Sequence, residues 1–455
     1  MAHLQYLVFN NEKIPMPASY SVSLSDVEAD SGGVTEAGTT QRELVGGEFC
    51  AEGVLDSQLY LTFHLYKCSV WLVDNSLPYN YDNVKNNCKG EVFMRKYYLD
   101  NIRWVTVVLV VIYHVLYMYN GEGILGGLGK ITALDVQYYD IFLYVVYPWF
   151  MLLLFLISGI CSRYYLDSHT AKEFAKSRTR KLLIPSTIGL FVFQFIQGYV
   201  SMSISDAFDS MQEVPGVIKY FIMVLSGTGV LWYVQLLWLF SMVLLLVRKI
   251  EKDRLWELGG KTNIIAILLM TVVIWGAAQI FNTPVVVVYR FGYYGVAFLL
   301  GYFVFSHDEI IETLKKYYVL LFVLAAGVGI SFCAVYFGKN YADAPINKSV
   351  LFAGFGWLMS MAILSGASKY ADKQNAFTVW MSKNNFGLYV FHYLGISTVA
   401  LLLGKTGNLP AAMVYTFSLI AGFVVAYALN AVISRVPFFR WAVLGIKKER
   451  KNDVS

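Results

Sequence analysis

Apolar stretches long enough to cross a membrane recur along most of this chain. Each covers about 18 to 24 residues, and a helix needs roughly 20 to cross a hydrocarbon core about 30 Å thick. A shorter run, 220–225, predicts an interfacial or re-entrant segment. The sequence therefore predicts an all-α integral membrane protein with about ten transmembrane helices in one bundle, near residues 99–119, 139–162, 182–204, 229–248, 263–281, 287–306, 316–338, 347–367, 385–404 and 410–434.

The composition agrees with a membrane protein and argues against several other classes. Hydrophobic residues make up 57% of the chain and charged residues 15%, which is outside the usual range of soluble domains. The net charge of +5 is small and gives no case for nucleic-acid binding. The five cysteines are an odd number without a CxxC pair, so we expect neither a disulfide framework nor a bound metal.

Residues 1–90 differ from the rest of the chain. They predict a small N-terminal cytoplasmic appendage, in part disordered, with one strand suggested by the alternating apolar pattern of 59–66. The segment 15–42 resembles the start of some prophage structural proteins, which would make the appendage an unrelated fusion. The chain does not begin with a signal-peptide pattern, so we expect the first spanning helix to direct insertion.

Lysine and arginine are distributed unevenly between the loops. Placing the start of the first helix in the cytoplasm puts the basic clusters 85–96, 163–181, 248–261, 315–316, 369–383 and 440–451 on that side. Only isolated lysines remain on the opposite side. The positive-inside rule then predicts a multi-pass protein of the cytoplasmic membrane with both termini in the cytoplasm and a basic tail over 441–455.

The first helix carries two charged or titratable residues on one face. Arg103 and His114 are eleven residues apart, which at about 100° and 1.5 Å per residue places them on one side and about 16 Å apart in depth. Intramembrane ionisable residues usually face a bundle interior or a cavity. A structural histidine and a snorkelling arginine are the alternatives to a functional pair.

A basic run precedes the third helix on the side of the membrane where Arg103 lies. It contains Lys172, Lys176, Arg178, Arg180 and Lys181 and is interpreted as a cytoplasmic loop. The run is either a topogenic charge cluster or an anion site in which guanidinium groups bind phosphate oxygens. An anionic cytoplasmic ligand that reaches down to His114 would explain both features.

Other polar residues within the apolar segments suggest packing contacts or site walls. Ser158 and Gly159 lie in the second helix, and Trp232 opens the fourth, where an interfacial anchor is the alternative. Asn385, Tyr389 and His392 form one stripe at the start of the ninth helix. For Asn385 a hydrogen bond between helices is the favoured interpretation, whereas the role of His392 stays open.

Six segments together resemble the acyltransferase-3 family of membrane acyltransferases, over about residues 97–440. They are YYLDNIRW…VVIYHV, FLISGICSRYYL, RTRKLLIP, LWYVQLLWLF, YYGVAFLLGYFVF and NNFGLYVFHY. The start of the first segment is most similar to the branch that contains the periplasmic glucan succinyltransferases. Many members carry a histidine before the L-W-F segment, where this chain has Gly229 and Val230, so acceptor handling is expected to differ.

The resemblance implies roles for individual residues. His114 would be catalytic with Arg103, and Arg178, Arg180, Lys181 and Ser158 would contact acyl-CoA. Trp232, Asn385, Tyr389 and His392 would line the acceptor or pocket wall. The implied activity is transfer of an acetyl or succinyl group from cytoplasmic acyl-CoA, a co-substrate, to a hydroxyl of an extracytoplasmic glycan, with no bound cofactor or metal.

Two other functions fit the same pattern. A transporter or flippase of a glycan or lipid-linked substrate would also need many helices with buried polar groups, although no inverted repeat is evident. A membrane scaffold would tolerate apolar replacements of Arg103 and His114. The sequence contains no Ser-His-Asp arrangement, HExxH motif or P-loop, which argues against hydrolase, zinc protease and ATPase functions.

Overall fold

The structure is a computed structural model that describes residues 95–124, 126–282 and 288–447. The predicted appendage 1–90, including its strand, lies outside the described residues, as do residues 448–455 of the predicted tail. The described part consists of helices and their connections, with an isolated β-bridge between Asn282 and Arg290.

The helices are numbered here in chain order. The first seven are α1 (Tyr97–Met118), α2 (Tyr138–Ser168), α3 (Ala171–Ile204), α4 (Gly216–Ser226), α5 (Gly229–Glu251), α6 (Arg254–Gly259) and α7 (Ile264–Ala277). The next seven are α8 (Phe291–Phe303), α9 (Asp308–Lys316), α10 (Tyr318–Tyr336), α11 (Val350–Tyr370), α12 (Ala376–Gly404), α13 (Ala411–Ile433) and α14 (Pro437–Leu444).

Eight helices within the described part are long and apolar enough to cross a membrane. They are α1, α2, α3, α5, α10, α11, α12 and α13, and they confirm the prediction of an all-α, multi-pass membrane protein. The fifth and sixth predicted spans correspond to the shorter apolar helices α7 and α8, so the number ten stays a prediction. The short run 220–225 lies in α4, an amphipathic helix of 11 residues.

Helix α1 packs against α2, α11, α12 and α13, and its two ends define the two sides of the bundle. On the Arg103 side, the backbone N–H of Tyr98 donates to Asp372 after α11 (3.0 Å). On the opposite side, which we call the Tyr119 side, the Tyr119 hydroxyl lies 2.7 Å from Ser418 Oγ in α13. Any group near the middle of α1 is therefore enclosed by neighbouring helices.

Helices α2 and α8 touch backbone to backbone through two glycines. A Cβ atom on Gly159 would lie 2.0 Å from the Phe298 carbonyl oxygen, and one on Gly301 would lie 2.0 Å from the Leu156 carbonyl oxygen. Neither space admits a methyl group, so small residues set this helix separation. Gly159 therefore has a packing role. The close contact of α2 with α8 also fixes the position of the neighbouring Ser158 along the α2 axis and the direction of its side chain.

The basic run before the third span is helical, so its interpretation as a loop was wrong. Thr170 accepts a hydrogen bond from the backbone N–H of Glu173, and the Glu173 carboxylate accepts one from the backbone N–H of Thr170, which forms a capping box. The helix continues through a π-helical segment, Thr179–Leu183, into the membrane span. Arg178, Arg180 and Lys181 therefore stand on a helix surface.

The ninth span also begins earlier than predicted. Asn375 caps the N-terminus of α12 by accepting from Thr378, nine residues before the predicted start at Asn384 and Asn385. Hydropathy detects only the apolar part of such a helix, so the polar first turns were missed. The last helix, α14, packs against α3 with Ala442, Val443 and Leu444 buried, and the packed fold extends beyond residue 440.

Candidate active site

His114 and His392 meet at the contact between α1 and α12. His392 Nε2 lies 3.1 Å from His114 Nδ1, and the ring centroids are 5.0 Å apart. His392 is fully buried, whereas His114 is partly exposed. The structure thus joins the residue predicted as catalytic to one whose role the sequence left open.

The hydrogen-bond partners of the two rings determine their neutral tautomers. A carbonyl oxygen only accepts, so His392 Nδ1 carries the proton that it donates to the carbonyls of Tyr389 (2.9 Å) and Leu388 (3.1 Å). His114 Nδ1 lies 2.8 Å from the Val110 carbonyl and therefore also carries a proton, which it shares with His392 Nε2. The Nε2 atom of neutral His114 then has a lone pair and can accept a proton.

Arg103 lies three turns before His114, on the same helix, as predicted. Its Nη1 is 3.4 Å from Asp100 Oδ1, and Asp100 Oδ2 also accepts from Arg95 (2.7 Å). Asp100 is buried, so its carboxylate needs these two cationic partners. The pairing with Asp100 holds the Arg103 side chain near the start of α1, well away from the His114 imidazole.

Arg178 reaches the face of α2 that carries Ser158. Its guanidinium is buried, donates to Ser162 Oγ (3.3 Å) and lies over the Phe174 ring at 5.0 Å. Ser162 in turn donates to the carbonyl of Ser158, one turn away (2.7 Å). Arg180 and Lys181 are half-buried two and three residues further along α3. Cationic side chains therefore approach the α2 surface from the Arg103 side.

Aromatic and hydroxyl groups connect Ser158 to the histidine pair. Ser158 Oγ lies 3.1 Å from the Tyr233 hydroxyl, and the Tyr233 and Tyr389 rings have centroids 5.8 Å apart. The Tyr389 hydroxyl donates to the Val230 carbonyl, and its ring lies 6.2 Å from that of His392. Trp232 contacts this wall through Tyr294 (5.5 Å). The structure brings Ser158, Trp232, Tyr389 and His392 to one continuous surface.

Asn385 does not form the predicted bond between helices. Its Oδ1 atom is buried and has no hydrogen-bond partner within the described part of the chain. The preceding residue makes that bond instead, because Asn384 Oδ1 accepts from Asn430 Nδ2 of α13 (3.0 Å). Periodicity alone could not decide between the two asparagines, since they differ by one position along the helix.

Sequence reasoning missed a group of tyrosines on the other side of His114. We call Tyr113, Tyr117, Tyr147, Tyr341 and Tyr393 the tyrosine cluster. The Tyr393 and Tyr117 rings have centroids 5.2 and 5.9 Å from that of His114, and the Tyr113 and Tyr341 hydroxyls are 3.0 Å apart. Tyr113, Tyr117 and Tyr393 could have been identified from the sequence, because they are close to His114 or His392 in the chain. Tyr147 and Tyr341 come from distant segments and gave no such signal.

The site has a different chemical character at each depth. Cationic groups lie on the Arg103 side, an imidazole with a free lone pair lies in the middle, and phenols lie toward the Tyr119 side. In residues 95–124, 126–282 and 288–447, no group of three or more His, Cys, Asp or Glu side chains is placed to hold a metal. The arrangement can take up a proton at the middle of the bundle, between a cationic surface on one side and a phenolic surface on the other.

Comparison with known proteins identifies the family. A family model described as "Acyltransferase domain", of the acyltransferase-3 type, matches residues 96–431, nearly three quarters of the chain. No curated protein matches the chain, and no solved structure does. The matched range includes α1 to α12 and nearly all of α13, and therefore every residue of the site described above. The chain belongs to the acyltransferase-3 family of membrane acyltransferases.

Proposed function

We propose that this protein transfers an acetyl or succinyl group from cytoplasmic acyl-CoA to a hydroxyl of an extracytoplasmic glycan. The observation that carries the proposal is the position of His114 Nδ1 between the Val110 carbonyl and His392 Nε2. The Nδ1 proton is held by Val110 and His392, which leaves His114 Nε2 as a base in the middle of the bundle. Family membership supports acyl transfer in general, and the acyl-CoA donor and glycan acceptor are our inference.

The donor would enter from the Arg103 side. Arg178, Arg180 and Lys181 stand on the first turns of α3, and Arg103 lies at the start of α1, so CoA phosphates would meet several cationic groups there. The distance of about 16 Å along α1 between Arg103 and His114 suits an extended pantetheine arm. The thioester would then lie beside His114, near Ser158 and Tyr233.

The acceptor would enter from the Tyr119 side, where the tyrosine cluster offers ring faces and hydroxyls to a sugar. His114 Nε2 would remove the proton from the acceptor hydroxyl as its oxygen bonds to the thioester carbon. The tetrahedral intermediate would collapse with cleavage of the C–S bond. The His114 imidazolium would then return its proton to the CoA thiolate, so the enzyme ends unchanged. A transient acyl-histidine is the covalent variant of this reaction.

His392 would act as a positioning residue in this reaction. Its Nε2 accepts from His114 Nδ1–H, which keeps the His114 ring oriented and stabilises the imidazolium that forms when Nε2 is protonated. The backbone carbonyls of Leu388 and Tyr389 hold the His392 ring in turn. The positive charge of the His114 imidazolium would therefore form beside an imidazole that is held in place to accept from it.

Binding of acetyl-CoA and succinyl-CoA to detergent-purified protein tests the donor. We expect the wild type and His114→Ala to bind, and Arg178→Ala and Arg103→Ala to bind at least tenfold more weakly because each removes a charge-assisted contact. Lys339→Ala, which changes a lysine on the Tyr119 side, is the matched control. Absence of binding of either CoA ester to the wild type would contradict the proposed donor.

A further inference from the structure

Arg290 is a fully buried arginine whose side chain has no ion-pair partner among the described residues. It is 1% exposed, and its Nη2 donates to the Asn347 carbonyl at 2.5 Å. Its Nε and Nη1 atoms have no hydrogen-bond partner in the described part of the chain, and no ion pair found there includes Arg290. A guanidinium stays protonated in a protein, and buried charges are normally paired. The Nε and Nη1 donors of Arg290 could therefore bind an acceptor from a ligand.

The surroundings of Arg290 supply ring faces and phenols instead of a carboxylate. The guanidinium lies 4.2 Å from the centroid of Tyr293 and 4.8 Å from that of Phe352. Tyr294 forms a side-chain hydrogen bond with the guanidinium, and the Tyr147 phenol is close enough to interact with its charge. The Asp343 carboxylate also lies near Tyr147 and accepts from Asn340 (2.8 Å), but it forms no ion pair with Arg290. Aromatic faces stabilise a cation without using its N–H donors.

Arg290 adjoins the tyrosine cluster on the Tyr119 side of His114. Tyr147 has a buried hydroxyl without a partner in the described residues, and its ring stacks on Tyr113 at 6.0 Å. Tyr113 precedes His114 in α1, and their rings are 5.3 Å apart. Arg290 is also the residue that precedes α8, so the N-terminal end of that helix dipole adds positive potential. Donors without a partner in the described residues, from the segment before α8 and from α2, thus lie behind the His114 imidazole.

We propose that Arg290, through its Nη1 donor, and the Tyr147 hydroxyl together bind a carboxylate of the substrate. This inference rests on the proposed acyl transfer and narrows its substrate class. The carboxylate would be either the free end of a dicarboxylic acyl group, such as succinyl, or an acidic group on the acceptor. In both cases the guanidinium donates to one carboxylate oxygen and the phenol to the other, and the charge-assisted contact selects against neutral substrates.

Binding measurements with four probes test the proposal and separate the two sources. The probes are acetyl-CoA, succinyl-CoA, a neutral gluco-oligosaccharide and an oligosaccharide that contains glucuronate. The proteins are the wild type, Arg290→Gln, Arg290→Lys and Tyr147→Phe in detergent. Arg163→Gln is the matched control, because Arg163 is also buried but is paired with Asp167 and Asp253 on the Arg103 side. Retained monodispersity on gel filtration establishes that each variant folds.

The two CoA esters form one pair of probes and the two oligosaccharides form the other. We expect Arg290→Gln to lower the affinity for the acidic probe of one pair at least tenfold, while the affinity for the neutral probe of that pair changes less than threefold. If only succinyl-CoA binding is weakened, the carboxylate belongs to the acyl group. If only binding of the glucuronate probe is weakened, the carboxylate belongs to the acceptor. Equal affinities of wild type and Arg290→Gln for all four probes would overturn the proposal. If Arg290→Gln does not fold, Tyr147→Phe and Arg290→Lys must show a reduced ratio of acidic to neutral binding, and unchanged ratios would overturn it.

The same data keep this inference separate from the proposed function. Binding of acetyl-CoA that depends on Arg178 but not on Arg290 supports the donor site, whatever the carboxylate probes show. If no CoA ester binds the wild type, the donor proposal fails, and the two oligosaccharides still test Arg290.

Discussion

His392 Nε2 lies 3.1 Å from His114 Nδ1, although the two residues are 278 positions apart in the chain. The contact makes one imidazole the acceptor for the other and leaves a single lone pair, on His114 Nε2, for chemistry. The Val110 carbonyl, one turn earlier in α1, already favours the tautomer of His114 with the proton on Nδ1. The second ring reinforces this choice because its Nε2 accepts from the same Nδ1.

Replacing His114 should abolish transfer without abolishing donor binding. We expect His114→Ala to lower kcat by about 10² to 10⁴, the usual contribution of a general base. His114→Gln should be equally inactive, since an amide cannot take up the proton. Steady-state transfer of the acyl group to the acceptor is the measurement, with acyl-CoA affinity as the control. Full transfer activity in His114→Ala would exclude its assigned role.

Replacing His392 should impair catalysis through the orientation of His114. We expect His392→Ala to lower kcat by roughly tenfold to a hundredfold with little change in KM, because the His114 ring loses its acceptor and its fixed orientation. His392→Gln places an amide oxygen at a similar reach and should restore part of the rate. A purely structural role predicts instead that kcat falls in proportion to the loss of folded protein, and that Gln and Ala behave alike.

The glycine contact between α2 and α8 should be intolerant of a single methyl group. We expect Gly159→Ala to destabilise the protein by about 1 to 3 kcal/mol or more, because its Cβ would overlap the Phe298 carbonyl and force the helices apart. Gly327→Ala in α10, where a Cβ meets nothing within 4 Å, is the control and should be neutral or slightly stabilising. Thermal unfolding in detergent measures both. Equal melting temperatures for the two variants would contradict the prediction.

Glu122, in the connection between α1 and α2, should make stability depend on pH. Burial, together with the negative charge of nearby Asp140, raises the pKa of the Glu122 carboxyl to about 7 from its ordinary 4.5. The folded state therefore binds this proton more tightly than the unfolded state. The stability that comes from protonated Glu122 is fully present below pH 4.5 and is lost as the pH rises through 7.

Glu122→Gln provides the measurement for this pH effect. The variant is expected to melt at a higher temperature than the wild type at pH 8 and to show a flatter dependence of melting temperature on pH between 4.5 and 7. Glu309→Gln, which changes an exposed glutamate in α9, should leave the profile of the wild type in place. A Glu122→Gln profile that parallels the wild type would show that another group titrates there.

Hydropathy and the helical repeat are local properties, so they were sufficient to predict the helical membrane class and the shared face of Arg103 and His114. Sequence reasoning misplaced the helix starts near Thr170 and Asn375, since these polar caps lie outside the apolar windows. The contact of His392 with His114, the bond made by Asn384, and the burial of the Arg290 guanidinium without an ion-pair partner among the described residues depend on tertiary structure. They depend on the rotation and depth at which separate helices pack, and these are set by close contacts such as that of Gly159 with Phe298.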